Sequence, residues 1–505
     1  MNLARLAEKN IERFGEYDAL FFDGRWYSNV RQLGDARRFA DVLASLGVAP
    51  GDRVAVLLPN CPEVFTAYGG ITALGAVVVP VVFLLAPGEI AHILADCSPG
   101  VLVTGPLFLD KVVEATAELE DPPSLVVLGD PVPEGIASWS ELMDRSSPEF
   151  EIVDRDDDDV AVIMYTGGTT GRQKGVELSH ENLRWNGVTC ANAIQLPQGS
   201  VSLLCLPVAH LFGMIAHITG QVFGGRGVLL EWFTPDEVLS AIEEHRVEHF
   251  PLVPTMMTLL LHHSEADRYD TSSLKTVFAS AAQVPVELAE AFEKRFDCEV
   301  LEGYGQTEAA PAIALMRPGL PKKAGSTGPP LPGVEVRIED DRHTEVPTGQ
   351  VGEICAQSPG IMRGYHDLPE VTADTLTHGW LHTGDVGYLD EDGYLHVTDR
   401  KKDLIIRGGF NVYPRDVEDV LLEHEAVREV AVVGRPDPEM GEEVVAFVVR
   451  TSGKEVSADD LLSEAERRLA KYKRPREIRF VPMLPKSPIG KVLKKDLRAQ
   501  LTGQG

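Results

Sequence analysis

Eleven residues, Tyr165-Thr-Gly-Gly-Thr-Thr-Gly-Arg-Gln-Lys-Gly175, bring four glycines, three threonine hydroxyls and one lysine into a single stretch. Glycine lets main-chain N–H groups approach an anion closely, Thr166, Thr169 and Thr170 add hydroxyl donors, and Lys174 adds a point charge. The chemistry this suits is a grip on a polyphosphate. It does not follow the P-loop pattern, which ends in Gly-Lys-Ser/Thr, because Arg172 and Gln173 separate Gly171 from Lys174. Taken alone, the run also reads as a polar turn, so its companions further along the chain carry the decision.

Those companions are Tyr304-Gly-Gln-Thr-Glu308, His382-Thr-Gly-Asp385, Asp399-Arg400, Arg407-Gly-Gly-Phe-Asn411 and Pro485-Lys-Ser-Pro-Ile-Gly-Lys491. With the glycine–threonine run they resemble, in order and from about residue 20 to residue 495, the adenylate-forming superfamily of acyl-CoA synthetases, adenylation domains and luciferases. Several also have a chemical rationale of their own. Glu308 is a hard oxygen ligand able to hold Mg2+ against nucleotide phosphates, and Thr307 offers a hydroxyl to the α-phosphate. Tyr304, between Gly303 and Gly305, can stack on adenine, although an aromatic residue at a strand end also serves a core. Asp385 can accept two hydrogen bonds from a ribose diol, with Arg400 supporting the same sugar or a phosphate. Taken singly, Asp385 in its Thr-Gly-Asp context caps a turn.

The resemblance implies the rest. ATP, Mg2+ and CoA are the expected cofactors and a carboxylic acid the substrate. Thr166, Gly167, Gly168, Thr169, Thr170, Gly171 and Lys174 join Gly303, Tyr304, Gly305, Asp385 and Arg400 around ATP, with Thr170 beside Glu308 at the metal. Lys491 corresponds to the family's adenylation lysine, which neutralises charge as the carboxylate attacks the α-phosphate. Lys402 corresponds to the pivot between half-reactions, and Gly408, Gly409 and Phe410 to the loop lining a pantetheine tunnel. In Pro207-Val-Ala-His-Leu-Phe-Gly213, His210 corresponds to a residue at the acyl site. Two departures stand out: Ala209 replaces a bulky aromatic residue, and Ser280 in Phe278-Ala-Ser-Ala-Ala-Gln-Val284 replaces a glycine beside the acyl pocket. Phe212, Met214, Ile215, Val222, Phe223, Trp232 and Val253 supply an apolar wall. This points to a medium- or long-chain fatty acid, with an aryl acid as the alternative and a carrier-protein thiol as the alternative acceptor.

These groups need a scaffold. Apolar β-rich runs at Val54–Leu58, Val77–Val82, Val101–Thr104, Leu125–Leu128, Val160–Met164 and Leu203–Leu206 alternate with helical stretches such as Val30–Leu46 and Pro235–His245. Leu178–Leu183 reads as a helix entry. The pattern predicts an α/β fold: a large N-terminal domain of layered α/β subdomains plus a small β-barrel-like subdomain from about residue 325, then a small mobile α+β domain. We expect an N-terminal adenylation domain over 1–398, a hinge at 399–402 and a C-terminal lid over 403–505 carrying Lys491.

Composition sets the outer limits. The net charge of −30 repels nucleic acid and anionic membrane. Six scattered cysteines without a Cys-x-x-Cys pair argue against a zinc framework or disulfides and for a reducing cytoplasm. Val64–Pro87 is free of charge and long enough to span a bilayer. Gly69, Gly70, Gly75 and Pro80 interrupt it, and it reads as a core helix followed by a buried strand; a membrane-spanning reading of Ser202–Gly225 is set aside likewise. A monomer or homodimer without a transmembrane segment is expected.

Overall fold

The computed structural model describes residues 1–117, 119–166, 173–282, 284–407, 410–438, 440–486 and 492–502. The chain divides into two compact units, Met1–Val336 with Ala356–Leu381, and Arg337–Cys355 with His382–Gly505.

The first unit holds two eight-stranded sheets. One runs in the order Ala312–Leu315, Glu299–Gly305, Thr276–Ala279, His249–Leu252, Val201–Leu204, Arg226–Leu229, Asp18–Phe22, Arg25–Ser28. Its six inner strands are parallel and its two outermost strands antiparallel to their neighbours. The other runs Gly364–Tyr365, Lys174–Ser179, Val160–Thr166, Val77–Pro80, Arg53–Leu57, Val101–Thr104, Ser124–Val127, Ala137–Ser138. It is parallel from Val160–Thr166 onward and antiparallel before it. Helices cover parallel sheets on both faces, which is why Val54, Ala55, Val56 and Leu57 are all buried and the run has no polar alternation.

Most expected elements appear within a residue or two, and Val101–Thr104 and Pro235–His245 have the expected bounds. The helix entry expected at Leu178–Leu183 is present, the helix starting at His180, and Lys174–Ser179 before it is a strand antiparallel to Val160–Thr166. The start is set by a reciprocal cap: Ser179 Oγ accepts from Asn182 N–H at 3.1 Å while Asn182 Oδ1 accepts from Ser179 N–H at 2.8 Å. The stretch Ser202–Gly225 is a strand followed by a helix, Val201–Leu204 then Leu211–Phe223, the reverse of Pro62–Leu74 then Val77–Pro80. Among the described residues no helix is long and apolar enough to cross a membrane.

In the second unit the strands that continue from Glu335–Glu339, Gly352–Gln357 and Trp380–Leu389 belong to a five-stranded sheet, to which Leu395–Arg400 adds by pairing with Trp380–Leu389. A second sheet orders Phe410–Val412, Ile405–Arg407, Gly441–Arg450 and Val427–Asp437, with Glu477–Phe480 parallel beside Gly441–Arg450. Helices Pro414–Leu422 and Ala458–Arg468 pack on it through Val417, Leu421, Leu461 and Ala465. The expected 399–402 junction lies within the second of these units. The antiparallel ladder from Asp385–Arg400 to Leu389–Leu395 keeps these residues with the C-terminal part.

Candidate active site

In an open parallel sheet, side chains that follow the strands' C-terminal ends surround a shared crevice. Here those ends lead into Pro207, Val253, Ser280 and Gly303–Gly305. The last of these enters a tight corner. Gln306 N–H donates to Pro311 O at 2.9 Å, and the short turn Thr307–Ala309 follows. A Cβ on Gly305 would lie 1.9 Å from Pro311 O, so only glycine fits that position. Ser280 Oγ donates to Gly303 O at 2.8 Å, tying the end of one strand to the next. The corner leaves Tyr304, Thr307 and Glu308 half-buried.

Glu308 then meets the other sheet. Met362 N–H donates to its main-chain oxygen at 2.9 Å, and Tyr365 Oη–H donates to Glu308 Oε1 at 2.8 Å. Burial, then the charge of Glu308, push the Tyr365 phenol above its ordinary range, so it stays a proton donor. Lys174 Nζ sits over the same ring, 4.7 Å from its centroid, a cation–π contact. Strand pairing sets this up: Tyr365 lies opposite Val176, and Thr166 opposite Lys174. Gly175 permits the close approach, since a Cβ there would meet Ile163 Cγ2 at 2.7 Å. The structure thus joins Lys174 and Glu308, both expected, through Tyr365, which sequence reasoning missed. Its only signal was an aromatic residue next to a glycine in Arg363-Gly-Tyr-His366. Gly167, Gly168, Thr169, Thr170, Gly171, Gly408, Gly409 and Lys491 lie outside the described residues.

In the second unit Asp385 is buried on the strand Trp380–Leu389, directly opposite Arg400, whose Nε lies 3.2 Å from Asp385 Oδ1. The Asp385 N–H donates to Thr383 Oγ1 at 3.1 Å, and Gly384 has a φ of 68°, so the Thr-Gly-Asp turn and the charge pair coexist. Asp399 lies beside them, with Arg400 N–H donating to Oδ1 at 2.7 Å and Arg415 N–H to Oδ2 at 3.0 Å. Lys402 is exposed in the short helix Lys401–Asp403. Phe410 is exposed and stacks on Tyr472 with centroids 4.9 Å apart.

His210 is the N-cap of Leu211–Phe223, its Nδ1 accepting from Phe212 N–H at 3.4 Å. The loop before it is clamped by Asn60, which donates to Leu206 O and Leu230 O and accepts from Val208 N–H. The expected apolar wall does not form one surface. Met214 and Ile215 pack into the main core, and Trp232 stands edge-on to Phe83 at 4.9 Å. Val222 and Phe223, about 18 Å along the helix from His210, line a cavity of about 470 Å3 with Arg13, Asn192 and Gln195. Helical periodicity explains the scatter, because residues adjacent in sequence face different neighbours.

Residues 7–366 match the AMP-binding enzyme family and residues 416–491 match the C-terminal domain of AMP-binding enzymes. The chain belongs to the AMP-binding enzyme family. This AMP-binding enzyme is 36% identical to a long-chain-fatty-acid–CoA ligase of Bacillus subtilis, over 99% of this chain and 94% of the relative. It is 39% identical to a feruloyl-CoA synthase of an Amycolatopsis species, over 91% of each. The crystal structure of ATP-bound MatB from Rhodopseudomonas palustris superposes with a TM-score of 0.91 at 31% identity, covering 99% of both chains.

The donor set of this AMP-binding enzyme suits a hard divalent cation at Glu308. Among the described residues the side-chain hydrogen bond to this carboxylate comes from a phenol, and a carboxylate is a hard oxygen donor of the kind a divalent cation takes.

Proposed function

We propose that this AMP-forming acid–CoA ligase takes a medium- or long-chain fatty acid, with the Lys174–Tyr365–Glu308 assembly as the polyphosphate end of its ATP site. The observation that carries the nucleotide reading is that assembly, built where two sheets present strand ends and a neutral donor orients the carboxylate. Glu308 would hold Mg2+, which supplies charge neutralisation to the phosphates when bound.

The reaction follows from the poor leaving ability of a carboxylate oxygen. A carboxylate oxygen attacks the α-phosphorus of ATP, the bond to the β-phosphate oxygen breaks, and pyrophosphate departs. Thr307 and Lys174 would donate to phosphate oxygens, and Lys491 would contribute a further positive charge. The CoA thiolate then attacks the acyl carbon and AMP leaves with the electron pair. Asp385 and Arg400 would hold the ribose, Lys402 would serve as the pivot, and Gly408, Gly409 and Phe410 would line the path of the thiol.

The absence of a cation along the acyl-side helix, among its described residues, favours an apolar monocarboxylic acid. Burial pushes the His217 imidazole down to about 4, and it lies neutral against Phe65 at 3.9 Å. Arg226, the other candidate for a second carboxylate, lies over the Trp26 ring at 4.1 Å and donates to Asp18 O at 3.1 Å. The 36% identity to a long-chain-fatty-acid–CoA ligase supports the fatty acid. The 39% identity to a feruloyl-CoA synthase supports an aryl acid as the second reading.

Incubation with ATP, Mg2+, CoA and a pool of fatty, aryl and dicarboxylic acids tests this, reading AMP and all acyl-CoA masses together. Fatty acyl-CoA as the dominant product is expected. A dominant aryl-CoA would overturn the acid class, and AMP release without any acyl-CoA would shift the acceptor to a carrier-protein thiol.

A further inference from the structure

We propose that Glu339, His343 and His382, in the second unit, form a divalent-metal site of zinc type. One ligand atom from each of the three lies within 4.8 Å of the others. Glu339 Oε2 is 3.8 Å from His382 Nε2 and 3.5 Å from His343 Nδ1. Tetrahedral coordination with Zn–N and Zn–O bonds near 2.0–2.1 Å separates ligand atoms by about 3.4 Å, so small side-chain shifts bring these three onto one ion.

Burial makes the cluster more than a coincidence of acidic and basic groups. The Glu339 side chain is 1% exposed and that of His382 7%, and among the described residues neither Glu339 Oε2 nor His382 Nε2 has a hydrogen-bond partner. A buried carboxylate oxygen and imidazole nitrogen left in this way cost free energy unless something satisfies both. The other carboxylate oxygen is engaged: Arg337 Nε lies 2.5 Å from Glu339 Oε1. The far side of the His382 ring offers Nδ1 a carboxylate acceptor. Its Nδ1 lies 3.5 Å from Glu353 Oε2 and 3.4 Å from Cys355 Sγ. Glu353 is itself held by Gly384 N–H at 3.1 Å and Lys401 Nζ at 3.1 Å. With Nδ1–H donating toward Glu353, Nε2 would present its lone pair on the Glu339 side, the tautomer a metal ion there selects. This is the carboxylate–histidine–metal arrangement that orients zinc ligands.

Cys355 is not a competing ligand. Burial, then Glu339 and Glu353, push its thiol far above the ordinary range, and it lies on the Nδ1 side of the ring. His343, 53% exposed, closes the set from a turn in which it has a φ of 56°. It leaves a fourth position open to solvent. Two imidazoles and one carboxylate favour Zn2+ or Co2+ over Mg2+ or Ca2+, which prefer all-oxygen sets. A proton is the competing occupant; it would make His382 an imidazolium paired with Glu339.

Untagged full-length protein, stripped with EDTA and dialysed, is titrated with Zn2+ against a chromophoric chelator and separately loaded with Co2+. One equivalent of Zn2+ per chain is expected. Bound Co2+ should show visible tetrahedral bands without a thiolate charge-transfer band. His343→Asn, which keeps a residue tolerant of positive φ at a solvent-exposed position, should weaken Zn2+ binding at least about tenfold. Failure of the wild type to compete with the chelator, a thiolate band, or equal affinity in His343→Asn would each overturn the site.

Discussion

Glu308 stands half-buried at a strand end with a neutral phenol on one oxygen, whereas Asp385 is buried within a strand with the Arg400 guanidinium 3.2 Å from its own. We propose that the first awaits a cationic ligand and that the second, ion-paired by the protein, faces neutral hydroxyls. A carboxylate's protein partner thus says what kind of ligand it awaits, and two acids nominated for one nucleotide suit different parts of it.

The sharpest way to break this contrast is Glu308→Gln, which removes the charge and keeps the shape. Adenylation, followed by ATP–pyrophosphate exchange, should fall about 10²–10³-fold, with a raised Mg2+ requirement; an unchanged requirement would remove Glu308 from the cation.

A third carboxylate extends the scale. Burial, opposed by Lys494 and reinforced by Glu418, raises Asp399 from 3.8 to about 6. The folded state therefore binds more protons than the unfolded one between those values, and stability falls as pH rises from about 4 to about 6. Asp399→Asn should abolish that fall, worth up to about 3 kcal/mol, as read from urea unfolding of wild type and variant at pH 4 and pH 7. Parallel pH profiles would refute it.

Tyr365→Phe keeps the ring beneath Lys174 but deletes the donor to Glu308. A hydrogen bond to a charged group is worth about 1.5–3 kcal/mol, so exchange should slow roughly tenfold or more. A rate equal to wild type would mean the phenol only packs.

The mildest change is expected from Asp385→Asn. One acceptor survives, so KM for ATP should rise about fivefold, the scale of one lost hydrogen bond, with kcat less affected. A collapse in kcat with unaltered KM would instead give Asp385 a role in the chemical step.

Much of the framework was legible because its signals are local. Pro at the first turn and Thr234 as cap delimit Pro235–His245, and the unbroken apolar run of Val101–Thr104 marks a strand buried on both faces. Lys174–Ser179 was hidden because its alternation, Val176 and Leu178 inward, is short and follows a glycine-rich run. Glu308 and Lys174 were nominated from motif chemistry, whereas the side chain linking them was not. Tyr365 meets Glu308 only through the pairing of Gly364–Tyr365 with Lys174–Ser179, a long-range register. The same holds for Glu339 and His382, which come together only in the folded chain. The apolar wall failed for the converse reason: hydrophobicity tells that a side chain is buried, not against what.

The hydroxyl of Ser280 has a consequence for how such a protein can change. Its bond to the Gly303 carbonyl makes the strand end beside the expected acid pocket a buttress for the corner that bears Glu308. A lineage that altered Ser280 to accept a different acid would also shift how firmly the nucleotide corner is held. Acid preference and ATP use would then drift together, and a switch of substrate would call for a second substitution at the corner to restore turnover.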